Sequence, residues 1–162
     1  MEPSPIRTER LSLDNGNILD IPFFSETHVP KRFCSRYARL SAEYIFGFEF
    51  PITHAWKMRH NPKIVVTSID NNIFRDLSKK KKVKSGAMIG VYVPKSQHNL
   101  FWRPYTHLSL YLGEKNGNPV FLEQFEDKVR ISSLSDYESN GLRLKEILVP
   151  ADVVPKRIES SA

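Results

Sequence analysis

An α+β domain is what this sequence predicts: one amphipathic helix opening at Cys34, followed by an antiparallel sheet made of successive hairpins. Three observations carry the prediction. From Cys34 to about Phe46 the apolar residues Tyr37, Ala38, Leu40, Ala42, Tyr44 and Ile45 recur at the spacing of a buried helix face. In Thr106–Gly113 apolar and polar residues alternate strictly, as in a strand with two unlike faces. Between Ala87 and Val149 the apolar runs are short and cut by turn formers, so that each run reads as one strand of a meander. A helix laid on one face of such a sheet is an α+β arrangement.

Taken in chain order, residues 1–9 read as an arm. Leu11–Leu13 and Ile18–Ile21 read as two short strands around Asp14-Asn15-Gly16-Asn17, a turn with an Asn-Gly step. Pro22 and Pro30 bracket a loop that leads to Cys34, and Gly47 stands just past the helix, where a left-handed cap suits glycine. Pro51–His60 reads as a second short helix, stopped by Asn61-Pro62. Residues 63–77 are ambiguous: Ile64-Val65-Val66 favours a strand, and 72–77 favours a helix. Strands are then expected at 87–93, 105–112, 120–125, 129–132 and 142–149. The expected organisation is an arm with a short hairpin over 1–25, one main domain over 26–150 and a flexible tail over 151–162.

Composition narrows the classes. A chain of 162 residues, 40% of them hydrophobic, suffices for one domain with its own core, and ten Phe, six Tyr and two Trp exclude disorder along its whole length. No window approaches the ~18 apolar residues of a bilayer span. Met1–Arg7 carries an acid and two prolines and no apolar signal region. With one cysteine, that reads as a chain of a reducing, cytoplasmic compartment. The net charge of +6 is concentrated at Lys79-Lys80-Lys81-Lys82 and Lys84. Such a block reads first as a solvated loop, and it also resembles a short nuclear-import signal. No aromatics are interleaved with these lysines, which argues against a base-stacking nucleic-acid surface.

The chemistry begins at Cys34. It follows Pro30-Lys31-Arg32-Phe33 and falls in the first helical turn, where unpaired backbone N–H groups and the helix dipole favour a thiolate. His107 opens the alternating strand and shares a face with Ser109 and Tyr111, opposite Leu108, Leu110 and Leu112. An imidazole beside a thiol holds it as a thiolate–imidazolium pair and returns the proton to a leaving amine. A third polar group orients the ring. The next strand offers Glu123, on the face of Phe121 and Phe125, and Gln124, on the face of Val120 and Leu122. Glu123 is preferred because a carboxylate also stabilises an imidazolium; Gln124 is the alternative, and whichever does not serve is expected to be exposed. Backbone N–H groups of Cys34 and Ser35 are the expected oxyanion donors, with Thr27 and His28 on the approach loop.

The order Cys34-Ser35-Arg36-Tyr37-Ala38, Gly86-Ala87-Met88-Ile89-Gly90, Tyr105–Gly113 and Phe121-Leu122-Glu123 resembles the NlpC/P60 superfamily of papain-like cysteine hydrolases. The resemblance covers about residues 30–132, and its most specific element is His107–Gly113. Phe33 stands where the family often has Asp, Arg36 where it has Gly, Ala87 where it has the Asp of Gly-Asp-Leu, and Glu123 where it has His, Asn or Gln. The pattern is nearer the divergent amidase-like members. Cys precedes His, unlike the circularly permuted branch with lecithin:retinol acyltransferase-like proteins.

The resemblance implies a papain-like fold with the cysteine-bearing helix packed on an antiparallel sheet. It also implies hydrolysis of an amide or peptide bond through a thioester, peptidoglycan-type peptides with D-amino acids or γ-linked glutamate among the substrates. Trp56, Trp102, Tyr105 and Tyr37 are the aromatics expected to line a substrate groove. No cofactor or metal is expected, because His28, His54, His60 and His98 lack ligand spacing. Three functions follow in order of preference: a cysteine amidase or peptidase, a binding module that kept the scaffold without the reaction, and a basic nucleic-acid-binding protein.

Overall fold

The computed structural model describes residues 3–30, 33–94, 96 and 103–153. Two strands, β1 (Arg7–Ser12) and β2 (Ile18–Phe23), form a hairpin, and α1 (Cys34–Phe46) follows. After a 3-10 helix at Ala55–His60 come β3 (Ile64–Ser68), α2 (Asn71–Lys79), β4 (Met88–Tyr92), β5 (His107–Lys115), β6 (Asn118–Phe125), β7 (Lys128–Ser133), α3 (Leu134–Ser139) and β8 (Arg143–Pro150). The larger sheet has the order β3-β8-β4-β5-β6-β7, every neighbour antiparallel. The architecture is α+β, as the periodicities indicate.

The helix from Cys34 to Phe46 has the expected bounds, and Gly47 closes it at φ 72, the left-handed cap that glycine adopts without strain. The ambiguous stretch 63–77 contains both elements: β3 and α2 share it, with the Asp70 side chain capping α2 through Ile73 N. Between Pro51 and His60 the chain is a 3-10 helix that starts only at Ala55.

Several expectations need correction. Strand β1 begins at Arg7, so the last three residues of the supposed arm, Arg7, Thr8 and Glu9, are paired with β2. The Asp14 carboxylate then accepts from Asn116 and Gly117 N–H, pinning the first hairpin to the β5–β6 turn. The sheet is not a plain run of hairpins, because β8 inserts between β3 and β4. α3 was not expected at all, although Ser133 and Asp136 form a capping box at its start.

Both faces of the sheet are covered, where one helix on one face was expected. Tyr37, Ala38, Leu40 and Ala42 of α1 pack with Met88, Leu108, Leu110, Leu122 and Leu148. On the other side Phe74 of α2 and Leu134 and Tyr137 of α3 pack with Ile89, Tyr111, Phe121 and Ile147. Phe121 is the centre of that layer, tilted to Phe74 at 5.4 Å and stacked on Tyr137 at 5.0 Å. The face bearing His107, Ser109 and Tyr111 is therefore buried under helices rather than open to solvent.

Candidate functional site

Cys34 is the first residue of α1. Its N-terminal neighbour Phe33 provides no side-chain cap, so the first-turn N–H groups stay available around the sulfur. The thiol lies half-buried, 3.9 Å from the Thr106 carbonyl oxygen at the start of β5. α1 packs along β5, and that contact brings the helix start against the strand start.

Burial pushes the Cys34 thiol up. This is outweighed by the hydrogen bond and charge of His107, and further by the backbone N–H groups of Leu108 and Ser35, so that the thiol titrates below its ordinary range. Ser35 N–H, expected as an oxyanion donor, is thus turned toward the sulfur itself.

His107 is buried. Its Nε2 lies 2.6 Å from Glu123 Oε1, and the other ring nitrogen is the one left for Cys34. Burial works against the imidazolium, but hydrogen bonds and charges of Cys34 and Glu123 prevail and push its titration up to about 10. Phe125 meets the ring edge-on at 5.2 Å and fixes its plane. Glu123 is wholly buried. Burial alone would raise it, yet His107, Tyr137 and Arg130 hold it down to about 2. Its Oε1 also accepts from Tyr137 OH at 2.6 Å, and Oε2 accepts from Arg130 Nε at 2.8 Å and Ser132 Oγ at 2.8 Å.

His107 thus stands between Glu123, bonded to its Nε2, and the Cys34 thiol that it pulls down, three groups in one line. Gln124 is not part of it. It points to the α1 face, where its amide donates to Pro30 O at 3.0 Å and supports the loop before Cys34. It is buried, not exposed as expected for the residue that does not serve, because both sheet faces are covered.

Two of the expected groove aromatics are core residues. Tyr37 is buried, its hydroxyl donating to Pro22 O at 2.7 Å. Tyr105 is buried against Gly90, where any Cβ would come within 2.5 Å of its ring. Each ring fills a layer of core, so neither presents a surface to substrate.

Trp56 is half-buried on the 3-10 helix, with the Arg103 guanidinium 4.5 Å above its ring and Lys57 Nζ at 5.0 Å. That helix is tied to the sheet by Arg59, which bonds both oxygens of buried Glu146 at 2.8 and 2.9 Å. Trp56 therefore stands beside the segment that leads into His107. Trp102 and His98, with Lys31 and Arg32, lie outside the described residues. On the approach loop Thr27 and His28 are exposed, and the His28 carbonyl accepts from Arg36 Nε of α1.

Sequence reading missed Arg130, Ser132 and Tyr137. The first two sit on the Glu123 face of β7, a placement that period-two parity and the β6–β7 register give only once the turn is known. Tyr137 had one readable signal, the Ser133-x-x-Asp136 cap that starts its helix.

Among the described residues no group of three or more His, Cys, Asp or Glu side chains is arranged to hold a metal ion, and no helix is long and apolar enough to cross a membrane. Comparison with protein-family models, with curated proteins and with solved structures gives no match to this chain.

Proposed function

We propose that this chain is a cysteine hydrolase that cleaves an amide or peptide bond, with Cys34 as nucleophile, His107 as general base and acid, and Glu123 as the group that orients and stabilises the imidazolium. The observation that carries the reading is the line from the Cys34 sulfur through the His107 ring to Glu123, with the thiol pulled down and the imidazole pushed up. A buried cysteine kept only for packing would have neither a charged partner nor a lowered titration.

In the proposed reaction the thiolate attacks the substrate carbonyl carbon and forms a C–S bond. The carbonyl electron pair moves to oxygen, and first-turn N–H donors of α1 stabilise the resulting anion. His107 gives its proton to the amide nitrogen as the C–N bond breaks, leaving a thioester and a free amine. Water then loses a proton to His107 and adds to the thioester, releasing a carboxylic acid and restoring the thiolate–imidazolium pair. No cofactor takes part in these steps. The NlpC/P60-like order of the residues supports a papain-like scaffold and peptide substrates, peptidoglycan-type fragments among them.

The test is the pH dependence of Cys34 alkylation by iodoacetamide. As the only cysteine, it reports without background. Rapid labelling that persists at mildly acidic pH is expected, lost in His107→Ala. Labelling that rises only near the ordinary thiol range, or that is indifferent to His107→Ala, would leave a binding module as the better reading.

A further inference from the structure

Glu123 collects four donors, which saturates the acceptor sites of a carboxylate. The two on Oε2, Arg130 Nε and Ser132 Oγ, both come from β7. Oε1 is shared differently: His107 Nε2 and Tyr137 OH each approach it to 2.6 Å. One ring is on the proposed reaction path, and the other belongs to α3.

The Tyr137 ring does not need that bond to stay in place. It is buried, stacks on Phe121 at 5.0 Å with an interplanar angle of 11°, and rides on a helix fixed by its own capping box. Packing holds the ring, and its hydroxyl serves the carboxylate with the Ser109 side chain beside it. Among the other charged groups on this side, Glu114 is half-buried and accepts from Ser78 Oγ at 2.7 Å. Lys128 of β7 and Asp136 of α3 are exposed, Asp136 bonding Ser133 N, and exposed Glu138 of α3 pairs with Arg75. Arg130, 43% exposed, is the cation at the rim, its guanidinium 4.2 Å from the Phe125 ring centre. From Cys34 the charges alternate through His107 and buried Glu123 out to Arg130 at the rim.

We infer that Tyr137 is a positioning residue of the site: by sharing Glu123 Oε1 with His107 it sets how tightly the carboxylate grips the imidazolium. The inference rests on the thiolate–imidazolium reading above. A donor on the same oxygen draws off part of the negative charge that His107 would otherwise receive. Without that hydroxyl the carboxylate stays aimed, because Arg130 and Ser132 hold Oε2, and Oε1 serves His107 alone. The imidazolium is then gripped harder and releases its proton less readily to a leaving amine.

The experiment follows the His107 ring by proton–nitrogen NMR in the full chain. In Tyr137→Phe the Nε2 proton resonance is expected to move downfield at neutral pH, and the titration midpoint to rise by about half a pH unit. Ser132→Ala, which frees Oε2 rather than Oε1, should move both by less than half as much. In a Glu123→Gln background, Tyr137→Phe should move neither. An unchanged His107 resonance in Tyr137→Phe, an equal response to Ser132→Ala, or the same displacement without Glu123 overturns the inference. A wild-type ring with only one protonated nitrogen at neutral pH overturns instead the ion-pair reading beneath it.

Discussion

His107 and Glu123 meet at 2.6 Å on a diagonal of the β5–β6 pair. Extending the Leu110–Leu122 register puts Ser109 opposite Glu123 and Phe125 opposite His107, which explains why Phe125 packs edge-on against the ring. Diagonal neighbours on one face lie within reach of long side chains. Glutamate spans that gap, and its length leaves the carboxylate deep enough to be met from β7 and α3 as well.

The choice between two adjacent candidates for the third position is open to a direct test. Glu123→Gln should slow Cys34 alkylation at pH 6 by about tenfold or more, because His107 loses its charged partner. Gln124→Leu removes only the bond to Pro30 O and should change the rate by no more than about twofold. Equal effects from both would contradict the geometry.

Stability should depend on pH through the same pair, with opposite signs. Glu123 is held at about 2 against an ordinary 4.5, so its contribution is complete above pH 4.5 and is lost as pH falls through about 2. His107 is raised to about 10 from 6.5, so its contribution is complete below pH 6.5 and is lost as pH rises toward 10. Urea midpoints should be highest between these limits, and Glu123→Gln should flatten the acid side.

Glu146 is buried and relies on Arg59, which bonds both of its oxygens. Arg59→Ala leaves that carboxylate without its cation and should cost about 2–3 kcal/mol in denaturant unfolding. Arg59→Met with Glu146→Leu, which removes both charges, should recover most of the loss. If the single change is silent, the 3-10 helix is held by other contacts.

Gly90→Ala places a Cβ 2.5 Å from the Tyr105 ring, and both sites are buried. Tyr105 is followed in the chain by Thr106, whose carbonyl faces the Cys34 sulfur. A loss of about 1–3 kcal/mol in stability is expected, with slower Cys34 alkylation in the protein that remains folded. Unchanged alkylation would show that Thr106 tolerates the shift.

Much of the site was legible because it obeys local periods. The helix register from Cys34 to Phe46, and the parity that puts His107 with Ser109 and Glu123 with Phe121, follow from residue spacing alone. Neither depends on what the faces touch. The reading of the faces failed for the complementary reason. Period two separates two faces but cannot say whether either meets water, and here α2 and α3 close over the polar one. Tyr37 and Tyr105 were misjudged in the same way, since an aromatic that fills the core and one that lines a groove have the same sequence pattern.

What the sequence by itself determined, then, is the inventory: a lone thiol at a helix start, an imidazole at a strand start, and a carboxylate in phase with it. Local backbone geometry dictates those placements within a few residues of each. Tertiary structure alone decided that α1 lies along β5 so that sulfur and ring meet, and that β7 and α3 supply the donors which keep Glu123 charged inside the core. A buried carboxylate survives as an anion only when enough donors converge on it, and that convergence depends on packing between segments distant in the chain.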